Sequence, residues 1–162
     1  MNKHEIFKEI EENLKEAIAL AEKAKQESQD EANRHGGKMQ SRYDTFKEEA
    51  QYMVTAQEKR IAEFSMSLKI IHDFIADPRV LQISDTIRIG SIIILKSAGG
   101  EKKKYLLAPA GGGMHITINT EKILVITPDS PLGHYVIGKK AGEEIELNKK
   151  EKTISYKILE VT

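Results

Sequence analysis

FKEEAQYMVTAQEKRIAEFSMSLKIIHDFI, residues 46–75, places Phe46, Ala50, Met53, Gln57, Ile61, Phe64, Leu68, Ile71 and Ile75 on one stripe. The steps alternate between three and four residues, with one extra residue near Gln57. That period predicts an amphipathic helix carrying a coiled-coil seam. Upstream, Ile10, Leu14, Ala17, Ala21, Ala24 and Ser28 repeat the alternation. Only Gly36-Gly37 breaks the run between them, and Ser41 followed three residues on by Asp44 has the form of a capping box opening the second helix. Two complementary seams across one short break predict an antiparallel hairpin that folds within one chain, with its turn between His35 and Ser41. Two separate helices that dimerise are the alternative. At 1.5 Å rise per residue, roughly 30 residues per arm make a rod of roughly 45 Å. The large side chains of the second arm, Phe64, Leu68, Ile71 and Ile75, are expected to meet Ile6, Ile10 and Leu14 at the base. Alanine and serine towards the tip allow a close approach there.

Composition changes abruptly at Ala76-Asp77-Pro78. All four prolines and nine of the eleven glycines follow that point, whereas all four phenylalanines precede it. The chain therefore divides into a helical part, residues 1–76, and a part rich in β-branched residues and turns, residues 77–162. The second part offers strands at Ile87–Lys96, Lys103–Ala108, Met114–Thr117, Lys122–Thr127, Glu143–Leu147 and Thr153–Val161. Ser97-Ala98-Gly99-Gly100 and Asn148–Lys152 suit hairpin connections. Ser130 as N-cap, Pro131 at the first helical position and Gly138 as the stop predict one short helix. The fold class is α+β, a helical hairpin with a small antiparallel β domain.

Charge excludes some functions. Lys plus Arg and Asp plus Glu number 25 each, which argues against a general polyanion binder. No cysteine is present, so disulfides and thiolate sites are ruled out. No apolar run approaches the ~20 residues that span a bilayer, and the opening MNKHEIFKEIEEN has no signal-peptide core. The expectation is a soluble, cytoplasmic protein.

The string Val125-Ile126-Thr127-Pro128-Asp129-Ser130-Pro131-Leu132-Gly133-His134-Tyr135-Val136-Ile137-Gly138-Lys139-Lys140-Ala141-Gly142-Glu143-Glu144-Ile145-Glu146-Leu147 closely resembles the C-terminal domain of the bacterial Gre (GreA/GreB) transcript-cleavage factors. Gly90-Ser91 leading into a β run, and a closing strand at Ile154–Val161, also resemble that family. The likeness runs over roughly residues 80 to 162; before residue 76 it is one of architecture alone. The resemblance implies an FKBP-like domain on the rim of the secondary channel of bacterial RNA polymerase, and a coiled coil that enters the channel. It implies that Asp129, Ser130, Pro131 and Leu132 form the polymerase-docking loop, and that nucleic acid is met only through the polymerase. A monomer is expected. In that family acidic residues at the coiled-coil tip help to hold a Mg²⁺ with which the polymerase, itself the enzyme, cleaves backtracked RNA.

The tip departs from the pattern. Gly36, Gly37, Lys38, Gln40, Arg42 and Asp44 stand where the family carries its acidic tip, with Gly37 and Gln40 at the two acidic positions. Neither can be an anionic ligand, and Lys38 and Arg42 add positive charge where a metal needs negative. Asp44 is either a helix-capping partner or a remaining ligand, and Asp30 and Glu31 lie about a turn before the tip. The expectation is a channel binder that modulates polymerase without strong cleavage stimulation, with no metal site and no cofactor of its own. A coiled-coil interaction or scaffold protein unrelated to transcription is the alternative. A prolyl isomerase would need aromatic walls, and residues 80 to 162 hold only Tyr105, Tyr135 and Tyr156.

Smaller features have plainer readings. Gly111-Gly112-Gly113 is read as a flexible turn and Lys102-Lys103-Lys104 as a solvated hairpin edge. His4, His35, His72, His115 and His134 show no ligand spacing.

Overall fold

The computed structural model describes residues 2–34, 42–149 and 152–162. The chain forms two compact units, Glu12–Ser67 and a second made of Met1–Glu11 with Leu68–Thr162. The hairpin turn expected at residues 35–41 lies outside the described residues, as does the Ser41 cap.

Helices α1 (Lys3–Arg34) and α2 (Arg42–Ile75) follow the seam pattern. In the Glu12–Ser67 unit, Ala24–Ala32 share a groove with Lys47–Gln57, and Lys25 Nζ reaches the Glu58 carboxylate at 2.7 Å. Later residues of one arm thus meet earlier residues of the other, as an antiparallel pair must. Leu14 and Ala21 are buried from α1, and Ala50, Val54 and Gln57 from α2. Val54 takes the place expected for Met53, which is 48% exposed. With Val54 the steps along α2 run four and three without interruption from Ala50 to Ile75, so the extra residue near Gln57 disappears.

In the other unit Ile6, Phe7, Ile10 and Ile71 are fully buried. The Phe7 and Phe74 rings lie 5.4 Å apart at an interplanar angle of 46°, a favourable tilted pair. Neither ring was on the expected seam, because both serve the sheet unit. Phe74 also lies 3.3 Å from where a Cβ on Gly90 would stand. Gly90 has φ +94°, and that Cβ would come 2.7 Å from the Val80 carbonyl oxygen, so only glycine fits. A 3-10 turn at Pro78–Leu81 is capped by Asp77, whose side chain accepts from the Arg79 N–H. The Arg79 guanidinium grips the same carboxylate and holds its pKa down to about 2.

Six strands form one sheet: β1 Ile92–Ser97, β2 Lys102–Leu107, β3 His115–Ile118, β4 Glu121–Ile126, β5 Glu144–Lys149 and β6 Lys152–Val161. Their spatial order is β3-β4-β2-β1-β6-β5. Four neighbouring pairs are antiparallel, and β2–β4 is parallel. The sheet is therefore mixed. The chain reverses after β2 in the Gly111–Gly113 turn, runs one strand position too far as β3, and returns as β4 into the gap. Those glycines make an ordered turn: Gly111 and Gly113 have φ of +77° and +89°, and the Gly113 N–H donates to the Val125 carbonyl at 2.8 Å.

β2 is an interior strand, and the lysine run is not an edge. Lys102 and Lys103 are exposed, while Lys104 Nζ pairs with Glu121 at 2.6 Å. The expected strand from Ile87 starts only at Ile92, since Gly90 turns the chain and Thr86 instead bridges Lys140. One face of the sheet holds Ile93, Leu95, Tyr105, Leu107, Ile126, Ile145, Leu147 and Ile158, packed with Ile87 and with Val136 from the short helix. Ile92, Leu106, Ile123 and Val125, which alternate with them, are buried as well.

Candidate docking site

The Asp129–Leu132 loop leads from β4 into helix α3 (Pro131–Val136). Its shape follows from a few local bonds. The Thr127 carbonyl accepts from the Ser130 N–H at 2.9 Å and from the Ser130 hydroxyl at 2.7 Å. Ser130 Oγ in turn accepts from the Gly133 N–H at 3.1 Å. Ser130 is thus an N-cap with extended backbone, φ −70° and ψ 149°, and Pro131 occupies a first-turn position that needs no N–H. Gly133 is buried, and a Cβ there would stand 1.9 Å from the Thr127 carbonyl oxygen. No other residue fits that crossing.

The loop divides its four side chains between inside and outside. Leu132 packs on the sheet's hydrophobic cluster, and Ser130 is half-buried by its capping bonds. Asp129 and Pro131 are exposed, and the Asp129 carboxylate forms no ion pair among the described residues. Tyr135 and Ile137, 42% and 44% exposed, add apolar surface on the same short element. The sequence does not mark them: Tyr135 stands three residues after Leu132, a spacing that shares a helix face, and Ile137 is the C-cap, so only the seating of α3 leaves both exposed.

The Gly138-Lys139-Lys140 segment is fastened from several sides. The Gly138 N–H donates to the Ile87 carbonyl at 2.8 Å, and the Ile87 N–H donates to the Lys139 carbonyl at 2.7 Å. Glu143 accepts from the Lys140 N–H at 2.6 Å and from Lys139 Nζ at 3.1 Å. Those backbone and side-chain bonds hold the Glu143 pKa below the ordinary carboxylate range. Lys140 Nζ pairs with Asp85 at 2.9 Å, which lowers Asp85 and raises Lys140. Both lysines are therefore engaged within the fold.

Beside the loop lies a groove of about 550 Å³, lined by Tyr105, Leu124, Leu147, Ile154 and Tyr156, with Asp129 and Pro131 at its rim. Burial, with Tyr156 and Glu101 nearby, pushes the Tyr105 hydroxyl up. Of the tip residues, Gly36, Gly37, Lys38 and Gln40 lie outside the described residues; Arg42 and Asp44 belong to the first turn of α2. Among the described residues no group of three or more His, Asp or Glu side chains is arranged to hold a metal ion, and no helix is long and apolar enough to cross a membrane.

The family model "Transcription elongation factor, GreA/GreB, C-term" matches residues 82–162, the span that carries this loop and the sheet. The chain belongs to the GreA/GreB family. Among solved structures, this family member is similar to the GreA factor homolog 1 (Gfh1) protein of Thermus thermophilus, with 14% identity over 94% of each chain and a TM-score of 0.37. It is also similar to Gfh1 of Thermus aquaticus, with 14% identity over 93% of this chain and 92% of that one, and a TM-score of 0.38. The GreA/GreB elongation factor of Nitrosomonas europaea shares 20% identity over 57% of this chain and 78% of its own, with a TM-score of 0.36. No curated protein sequence matches the chain.

Proposed function

We propose that this GreA/GreB-family protein binds bacterial RNA polymerase in the cytoplasm as a monomer, with the hairpin of residues 1–76 in the secondary channel and residues 77–162 on the channel rim. The observation that carries the reading is the Asp129–Leu132 loop. It lies in the family-matched span, its backbone is fixed by the Ser130 cap, and it presents Asp129 and Pro131 outward. An exposed carboxylate on a loop shaped by its own capping bonds suits a basic patch on a partner, and a preformed shape lowers the ordering cost of association. Nucleic acid is met only through the polymerase. The protein modulates transcription and is not itself an enzyme.

The tip supports a role other than cleavage stimulation. A loosely held Mg²⁺ needs anionic oxygens at about 2.1 Å, and Gly37 and Gln40 supply none. Lys38 and Arg42 would each oppose the ion by roughly 1 kcal/mol at several ångströms in a wet channel. The test has two arms. Asp129→Ala with Pro131→Ala should weaken polymerase binding while leaving thermal unfolding nearly unchanged; undiminished binding would remove the loop from the interface. On a stalled, backtracked complex the natural protein should leave cleavage near its unassisted rate, and Gly37→Asp with Gln40→Glu should raise it. Strong cleavage by the natural protein would assign the metal to Asp44, Asp30 or Glu31.

A further inference from the structure

The seam of α2 is interrupted by one polar residue. Gln57 stands in register with Ala50, Val54, Ile61 and Phe64, and only 8% of it is exposed. Its Oε1 is buried without a hydrogen-bond partner. Such an acceptor in the space between two helices is destabilising unless something donates to it. Ala24 and Ala32 carry no polar atom, and the Ser28 hydroxyl already donates to the Ala24 carbonyl at 3.0 Å.

These short side chains also leave room. A groove of about 510 Å³ runs along Ala24, Ser28, Ala32 and Ala50 to Gln57, with Glu27, Glu31, Glu49 and Lys47 on its walls and the Arg34 guanidinium 3.8 Å from the Glu31 carboxylate. Glu27 meets Lys23 only at the 4.0 Å limit of an ion pair, and the nearby Lys25 is committed to Glu58. The walls are thus acceptor-rich and acidic in balance. Met53, half exposed and unbranched, lines the same groove and can turn aside for a guest.

We infer that this groove receives a cationic side chain, a guanidinium or ammonium group, from the wall of the polymerase channel, and that the Gln57 carbonyl oxygen is its buried acceptor. The inference rests on the polymerase-binding reading and adds a second contact on the arm, away from both tip and loop. The apolar stem of such a side chain matches the alanine walls, and its N–H donors match the carboxylates and the amide oxygen.

Two substitutions with opposite effects on the hairpin test it. Gln57→Leu completes the apolar seam, so its melting temperature should rise by a few degrees. Gln57→Ala leaves a void, so its melting temperature should not rise. Both remove the acceptor, and both should weaken binding to core RNA polymerase about tenfold, with less salt dependence than the natural protein. If either variant binds within twofold of the natural protein, the groove holds water alone and the inference is overturned. If the natural protein itself does not bind core polymerase, the functional reading fails and this contact with it.

Discussion

Gly133→Ala tests the geometry on which the proposed docking loop depends. The added Cβ would fall 1.9 Å from the Thr127 carbonyl oxygen, 2.8 Å from its carbon and 2.9 Å from Ser130 Oγ. The first two belong to backbone, so no rotamer change relieves them. Either α3 lifts away from β4 or the Thr127 carbonyl turns. Both responses break the bonds to Thr127 from the Ser130 N–H and hydroxyl, and the first also pulls Val136 and Leu132 from the sheet. Overpacking of this kind costs about 1–3 kcal/mol, and loss of the capping bonds adds about 1 kcal/mol. A total near 3 kcal/mol corresponds to about 6–12 °C in melting temperature for a protein of this length. The assay is thermal unfolding followed through the amide signals of residues 82–162, with Ser130→Ala as the milder companion at about 1 kcal/mol. A Gly133→Ala protein melting within 2 °C of the natural one would refute the packing described here.

The seam and the Asp77 cap give two further expectations. Val54→Ala should destabilise the hairpin by about 1.5 kcal/mol through two lost buried methyl groups, whereas Met53→Ala should change it by less than about 0.5 kcal/mol; equal effects by chemical denaturation would contradict the corrected register. The Asp77 carboxyl is lowered from its ordinary 3.8 to about 2 by Arg79. A lowered carboxylate stabilises the fold above its unfolded-state pKa and loses that contribution as pH falls through the folded one. NMR titration of Asp77 should therefore show a midpoint near 2, and Asp77→Asn should abolish the part of the stability change that the natural protein shows between about pH 4 and pH 2. A midpoint at the ordinary value would deny the Arg79 grip.

Much of this was legible in residue order because the signals are local. The end of α2 just before Pro78, the α1 stripe from Ile10 to Ser28 and the Ser130-Pro131 start of α3 each need only neighbours within a few residues. What escaped depends on residues far apart in the chain. Met53 and Val54 are both apolar, and only the facing arm decides which turns inward. The β run from Ile87 is strand-like in composition, yet the approach of Val80 and Phe74 to Gly90 forces a turn there. The parallel β2–β4 pairing leaves no mark in either strand's own alternation, and the same holds for the interior place of the lysine-bearing β2. In the site, the outward Asp129 and Pro131 follow from the cap, while the need for glycine at 133 and the exposure of Tyr135 and Ile137 appear only once α3 is laid against β4.

The most direct measurement is binding of the purified full-length protein to bacterial RNA polymerase core enzyme, in competition with an acidic-tip Gre factor. One protein is expected per core enzyme, displaced by the Gre factor, because both would occupy one channel and rim. Absence of binding, or binding that the Gre factor does not displace, would contradict it and favour a coiled-coil scaffold acting elsewhere.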